Sequence, residues 1–164
     1  MIHTLFGDDD QVAVKSVRLR CIRMKFNREL VKEELSVYIS SSRFTSANQI
    51  YELFADLRYE TKEHFIALHL DGKNRIVCFD RVSVGSLNQS VVHPREVFKS
   101  AILSSAAAII LLHNHPSGDP TPSQEDMAIT KRLSEVGDLI GIRILDHVIV
   151  GDGKYLSFAE RGML

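Results

Sequence analysis

The run Ala107–His113 stays apolar until its final histidine, and a Pro- and Gly-rich loop, Pro116–Pro122, follows it closely. A half-exposed strand would alternate apolar and polar residues. An unbroken run of this length is expected of a strand buried on both faces, in the middle of a sheet covered by helices. The longest aliphatic stretch, Ala106–Leu112, is far shorter than the roughly 20 residues needed to span a bilayer. It therefore belongs to a protein core. The 164 residues, 45% apolar and 25% charged, suit one domain with a real core, perhaps with a short appendage. That composition excludes a mainly disordered, collagenous or coiled-coil chain.

The segments around this run read as alternating helices and strands. Thr45 or Ser46 can cap a helix to about Leu57, with Ile50, Leu53, Phe54 and Leu57 on one face. Glu63–Leu70 and Arg75–Val84 are strand-like, and Asp71-Gly72-Lys73-Asn74 between them signals a hairpin. A helix follows His93-Pro94, with Val97, Phe98, Ala101, Ile102 and Ser105 as its inward stripe. Ser123 opens another, with Ile129, Leu133 and Val136 inward and Gly137 near its end. Gly141–Val150 and Lys154–Phe158 read as closing strands around the turn Gly151-Asp152-Gly153. The Gly spacing of a phosphate-binding loop is missing there. The expected class is α/β (α+β), a mixed β-sheet flanked by helices.

The chain divides into an extension, 1–42, and a domain, 43–164, with Ser40-Ser41-Ser42 as the linker. Val12–Phe26 reads as a half-buried basic strand, because Val17 to Cys21 alternates at period 2. Lys15, Arg18, Arg20, Arg23, Lys25 and Arg28 can hold phosphates, or can guard a sheet edge against unwanted pairing. The edge also allows a homodimer by strand pairing. The net charge is −1, so the chain as a whole is no polyanion binder. Met1–Asp10 carries three consecutive Asp in place of a secretory leader, and the two Cys cannot make a disulfide framework. A cytoplasmic protein without a membrane segment is expected.

The chemistry concentrates where the apolar run ends. Alternate side chains of a strand share a face, so His113 and His115 project together. The Pro-rich loop then turns the chain back. Ser123 and Asp126, three apart at a helix start, also face one way, and Asp126 can return as a third ligand. With so few Cys, any zinc must use His and carboxylate ligands. Three protein ligands leave a fourth position for water, the catalytic rather than the structural arrangement. Each part also has a plainer reading. The histidines can be polar residues at the sheet rim, the loop a rigid turn, and Ser123 with Asp126 a helix N-cap near the positive dipole end.

His-x-His-Pro, six residues, Ser, two residues, Asp resembles the signature of the JAB/MPN (JAMM) metalloprotease-like domain. The stretch from Val92-His93-Pro94 through His113-Asn114-His115-Pro116-Ser117-Gly118-Asp119-Pro120 to Glu125-Asp126, and then Leu145-Asp146-His147, is similar to the bacterial RadC family. The resemblance covers roughly Thr45 to Leu164. It implies a JAB/MPN-like (cytidine-deaminase-like) fold, and Zn2+ held by His113, His115 and Asp126. It further implies that Ser123 holds the developing oxyanion or the zinc-bound water, and that an upstream Glu is the general base. Glu63 matches that position best, with Glu60 as the fallback. His93 and His147 match the RadC pattern, as neighbours of the site or as structural histidines. His64 and His69 read as strand-surface residues. Full-length members carry a helix-hairpin-helix-like region, for which Met1–Ser42 is too short, so the chain resembles short stand-alone members.

Three functions follow. The first is a zinc metallohydrolase of the JAMM type, a metallopeptidase or isopeptidase acting on a peptide or modified-protein substrate. The family name adds a nominal link to DNA repair. The second is a DNA-binding repair accessory or metal-dependent nuclease, supported by the basic strand alone. His113-Asn114-His115 is no HNH nuclease motif, whose residues are spread over a ββα unit, and the zinc-deaminase signature is absent. The third is a non-catalytic metal-stabilised scaffold.

Overall fold

A computed structural model describes residues 43–44, 46–85 and 92–164. The basic stretch Val12–Phe26, the linker Ser40–Ser42 and the strand edge invoked for a homodimer lie outside the described residues.

Ser46 opens α1 (Ala47–Phe54) with a capping box: its side chain accepts from the third helical residue, and its N–H donates to the Gln49 side chain at 3.3 Å. The helix tightens into a 3-10 turn over Ala55–Tyr59, short of the single helix expected to Leu57. β1 (Glu63–Leu70) and β2 (Ile76–Gly85) form the expected hairpin. The Asp71 carboxylate holds its turn, accepting from the Lys73 and Arg75 backbones at 2.8 and 2.9 Å. Those amides and the Arg75 guanidinium bring the Asp71 carboxyl down to about 2.

α2 (Pro94–Leu103) follows, then β3 (Ala108–Asn114), α3 (Gln124–Ile140), β4 (Arg143–Val150) and β5 (Tyr155–Ser157). The sheet order is β2-β1-β3-β4-β5. Among the described strands only β3 and β4 are parallel, joined by the crossover helix α3. The described residues have the α/β fold anticipated, a mixed five-stranded sheet with three helices. No helix among the described residues is long and apolar enough to cross a membrane.

β3 lies at the centre, and all seven of its residues are buried. Its even-numbered side chains, Ile110 and Leu112, meet α1 through Ile50, Leu53 and Phe54. Its odd-numbered ones, Ile109 and Leu111, meet α2 and α3 through Val97, Phe98, Ala101 and Leu133. Each large aliphatic buried this way contributes about 1.5–3 kcal/mol by leaving water. The unbroken apolar run is thus explained by two cores, one on each face.

Two expectations need correction. His69 is not on the surface but 1% exposed, because β1 also is covered on both faces. Its Nδ1 lies 2.8 Å from Ser104 Oγ and 3.3 Å from Cys78 Sγ, and burial pushes its pKa down. In α2, Ile102 is exposed and Ser105 lies beyond the helix; the buried arc turns instead to Ser100, whose hydroxyl meets His69 at 3.4 Å. In α3, Gly137 lies near the helix end, as expected, but does not cap it. Gly141 does so in the left-handed conformation, with φ 77°.

Gly137 has a packing reason instead. A Cβ there would lie 2.5 Å from the Ile142 carbonyl oxygen, which accepts no closer approach, and 3.4 Å from the Phe98 ring. Gly→Ala inside a helix ordinarily gains about 1 kcal/mol. Here overpacking against backbone, costing about 1–3 kcal/mol, outweighs it. Gly137→Ala should therefore lower the urea midpoint. A raised midpoint would contradict this close approach.

Candidate metal centre

The antiparallel β1–β3 register pairs Phe65 with His113, and continuing it sets Glu63 alongside His115. Glu63, Phe65, His113 and His115 share the sheet face that α3 covers. The loop after β3 brings the start of α3 back to this face. It seats against the Gly151–Gly153 turn, where Asp152 N–H donates to the Gly118 carbonyl at 2.9 Å. Gly151 has no room for a side chain, since a Cβ would meet the same carbonyl at 2.5 Å.

His113, His115 and Asp126 converge, with ligand atoms all within 4.8 Å of one another. His113 Nε2 is 3.0 Å from His115 Nε2 and 3.2 Å from Asp126 Oδ1, and His115 Nε2 is 3.3 Å from Asp126 Oδ2. Three lone-pair donors this close repel unless a cation lies among them. They form a cluster that can hold a metal ion. His115 Nδ1 is 2.7 Å from the Asp119 carbonyl oxygen, which can only accept, so Nδ1 carries the proton and Nε2 faces the cluster.

The plain reading of Ser123 and Asp126 also holds. They form the N-terminal capping box of α3. Asp126 N–H donates to Ser123 Oγ at 3.1 Å. The Ser123 N–H and hydroxyl donate to Asp126 Oδ2 at 2.8 and 2.7 Å. The cap itself aims the carboxylate at the histidines. Burial opposes the charge on Asp126, but the imidazoles of His113 and His115 beside it, with the Ser123 hydroxyl, outweigh burial and hold the carboxyl far below its usual range.

A cavity of about 360 Å³ opens beside the cluster, lined by Glu63, His115, Pro116, Ser117, Ser123, Glu125 and Asp126. Glu60 does not line it; its carboxylate lies 3.6 Å from His64 Nε2. Of the two carboxylates considered for the general base, Glu63 is the one at the cavity.

Three residues at the site were missed or left open by the sequence. Asn114, fully buried, accepts from His64 N–H at 2.8 Å and donates to the Lys62 carbonyl at 3.0 Å, clamping the residues on either side of Glu63. His147, also fully buried, sets Nε2 2.8 Å from His113 Nδ1. Thr130, one turn along α3 from Asp126, lies 2.5 Å from His147 Nδ1. His93 is structural: it caps α2, accepting from Arg95 N–H at 3.3 Å.

A family model described as RadC-like JAB domain matches residues 44–163. The chain belongs to the RadC-like JAB domain family. The RadC-like relatives include a UPF0758 protein of Pelobacter propionicus, 63% identical over 123 residues, 74% of this chain and 54% of that protein. One from Geotalea uraniireducens is 61% identical over 126 residues, 76% of this chain and 55% of that protein. One from Caldanaerobacter subterraneus is 49% identical over 149 residues, 90% of this chain and 62% of that protein. The chain spans about half the length of the first two. The match to the RadC-like JAB domain spans the sheet, the returning loop and the histidine pair.

Two predictions follow from this geometry. Burial, reinforced by the neighbouring imidazoles, lowers the pKa of His113 and pushes that of His147 well below normal. Burial also opposes charge on His115, but Asp126 and the Asp119 carbonyl outweigh it and raise its pKa. As pH falls through about 6.5, an unfolded chain protonates all three imidazoles. The folded one resists at two of them, so stability drops, while the opposing gain from His115 is a single group's. With chelator present, the denaturation midpoint should be lower at pH 5.5 than at pH 7.5, and His147→Asn should shrink the difference. An unchanged midpoint would count against the neutral pair. Separately, Asn114→Ala should cost about 1–3 kcal/mol by orphaning two backbone groups at the start of β1, read by chemical denaturation; a neutral effect would remove Asn114 as the clamp.

Proposed function

We propose that the chain is a zinc-dependent hydrolase of the metallopeptidase class, acting on an amide or isopeptide bond. The observation that carries this reading is a three-ligand cluster beside an open cavity that Glu63 and Ser123 also line. Zinc bonds of about 2.0–2.1 Å at tetrahedral angles separate ligand atoms by about 3.3 Å. The separations of 3.0, 3.2 and 3.3 Å among His113, His115 and Asp126 fit that set. Two imidazoles and one carboxylate suit zinc and leave one position open.

Zinc bound there supplies a Lewis acid that polarises a carbonyl and brings the pKa of water to about 7. Glu63 at the cavity wall takes a proton from the attacking water and delivers it to the leaving amine. Ser123 turns its hydroxyl from Asp126 to the substrate oxygen as negative charge develops there. Pro116 and Ser117 line the same cavity and are available to contact the substrate. The nominal DNA-repair link and a cytoplasmic location belong to this proposal as expectations. The basic stretch that would serve nucleic acid lies outside the described residues.

Metal analysis after zinc loading should find about one zinc per chain, lost in His113→Ala. Glu63→Gln should retain the zinc and lose a factor of about 10²–10⁴ in hydrolysis of a peptide or isopeptide reporter. Zinc in neither protein would sink the metal centre. Zinc bound, with Glu63→Gln indistinguishable from the parent, would favour a metal-stabilised scaffold.

A further inference from the structure

Behind the ligand cluster, a file of buried groups runs from α3 to β4 to β3. Thr130 Oγ1 lies 2.5 Å from the Asp126 backbone carbonyl oxygen and 2.5 Å from His147 Nδ1. His147 Nε2 lies 2.8 Å from His113 Nδ1. Thr130, His147 and His113 are 2%, 0% and 0% exposed. The Phe158 ring stacks on His147 at 4.9 Å, and the Phe65 ring covers His113 at 6.0 Å. With so little solvent access, the hydrogens of this file must satisfy its members among themselves.

Counting hydrogens leaves one consistent order. A carbonyl oxygen carries no hydrogen, so the single Thr130 hydroxyl hydrogen must point at Asp126 O. Thr130 Oγ1 is then an acceptor toward His147, and His147 Nδ1 carries the proton. A neutral imidazole has one N–H, so His147 Nε2 is a lone pair. The hydrogen in the 2.8 Å contact is therefore on His113 Nδ1. His113 Nε2, in turn, is a lone pair facing His115 and Asp126. The reverse order would leave two oxygens 2.5 Å apart with no hydrogen between them, and an N–H aimed from His113 at the place a metal needs.

We propose that Thr130 and His147 are positioning residues that set the tautomer of His113, presenting Nε2 as a metal ligand. The proposal rests on the reading of His113 as a ligand. The file starts at the backbone of Asp126, so two of the three ligands are tied to one hydrogen-bonded unit. Metal-ligating histidines ordinarily owe their orientation to one such partner, and losing it costs about 10–100-fold in affinity. Here the partner is a second neutral imidazole, which can donate or accept. The hydroxyl of Thr130 removes that ambiguity.

The test combines ring-nitrogen NMR with zinc titration by competition against a chelating dye, on the full chain, the parent beside Thr130→Val and Thr130→Ser. In the metal-free parent at alkaline pH, His113 should show protonated Nδ1 and bare Nε2. Thr130→Val, which keeps the shape and loses the hydroxyl, should mix in the other tautomer and weaken zinc binding by about 10–100-fold. Thr130→Ser should restore both. The proposal is overturned if the metal-free parent carries its His113 proton on Nε2, or if Thr130→Val changes neither the tautomer nor the affinity. A parent with the stated tautomer and no zinc uptake would instead refute the metal reading and leave the proton order standing. The parent's spectrum decides the order even if a variant does not fold.

Discussion

The last two side chains of β3 are polar and have no exposure to water. Burying an amide or an imidazole without partners costs several kcal/mol. Much of the site answers that one constraint. Asn114, on the α1 face, satisfies its amide against the backbone of residues 62 and 64. His113, on the other face, finds His147 behind it and Asp126 and His115 in front. The same partners that satisfy the strand end align Glu63, fix an imidazole and collect a carboxylate.

The return of the chain adds the second half. The Pro- and Gly-rich loop brings α3 back over the sheet, resting on Gly151 where no side chain fits. At its end, the Ser123–Asp126 box satisfies orphan N–H groups at the start of α3, worth about 1 kcal/mol in any helix. The carboxylate that performs this local task is also the one aimed at two histidines. Stability and site geometry are thus drawn from the same atoms. A change to Asp126 removes a cap and one corner of the candidate metal cluster at once.

Second, less visible constraints act at the other end of β1. His69 is buried among Ser100, Ser104 and Cys78, and burial holds its pKa below normal. Its hydroxyl partners are Ser100 of α2 and Ser104, which caps that helix, so this polar contact fixes the helix to the sheet away from the candidate metal centre. Histidine count alone is therefore a poor guide to chemistry: His93 caps a helix, His69 fastens one, and His147 stands behind His113.

What could be read directly from the sequence was local and periodic. The two-residue spacing of His113 and His115, the three-residue spacing of Ser123 and Asp126, the hairpin turn and the unbroken β3 run each follow from the repeat of one element. Where the chain had to choose among sequence-distant neighbours, periodicity had nothing to say. Glu63 rather than Glu60 lines the cavity because the β1–β3 register places it there. His147 and Thr130 reach His113 only because β4 lies parallel to β3 under the crossover helix. His69 looked superficial because alternation implies a wet face, and β1 has none. Local sequence determined which groups share a face. The sheet order and the helix packed over it decided which faces meet, since hydrogen-bond partners 17 to 52 residues apart are brought together by burial alone.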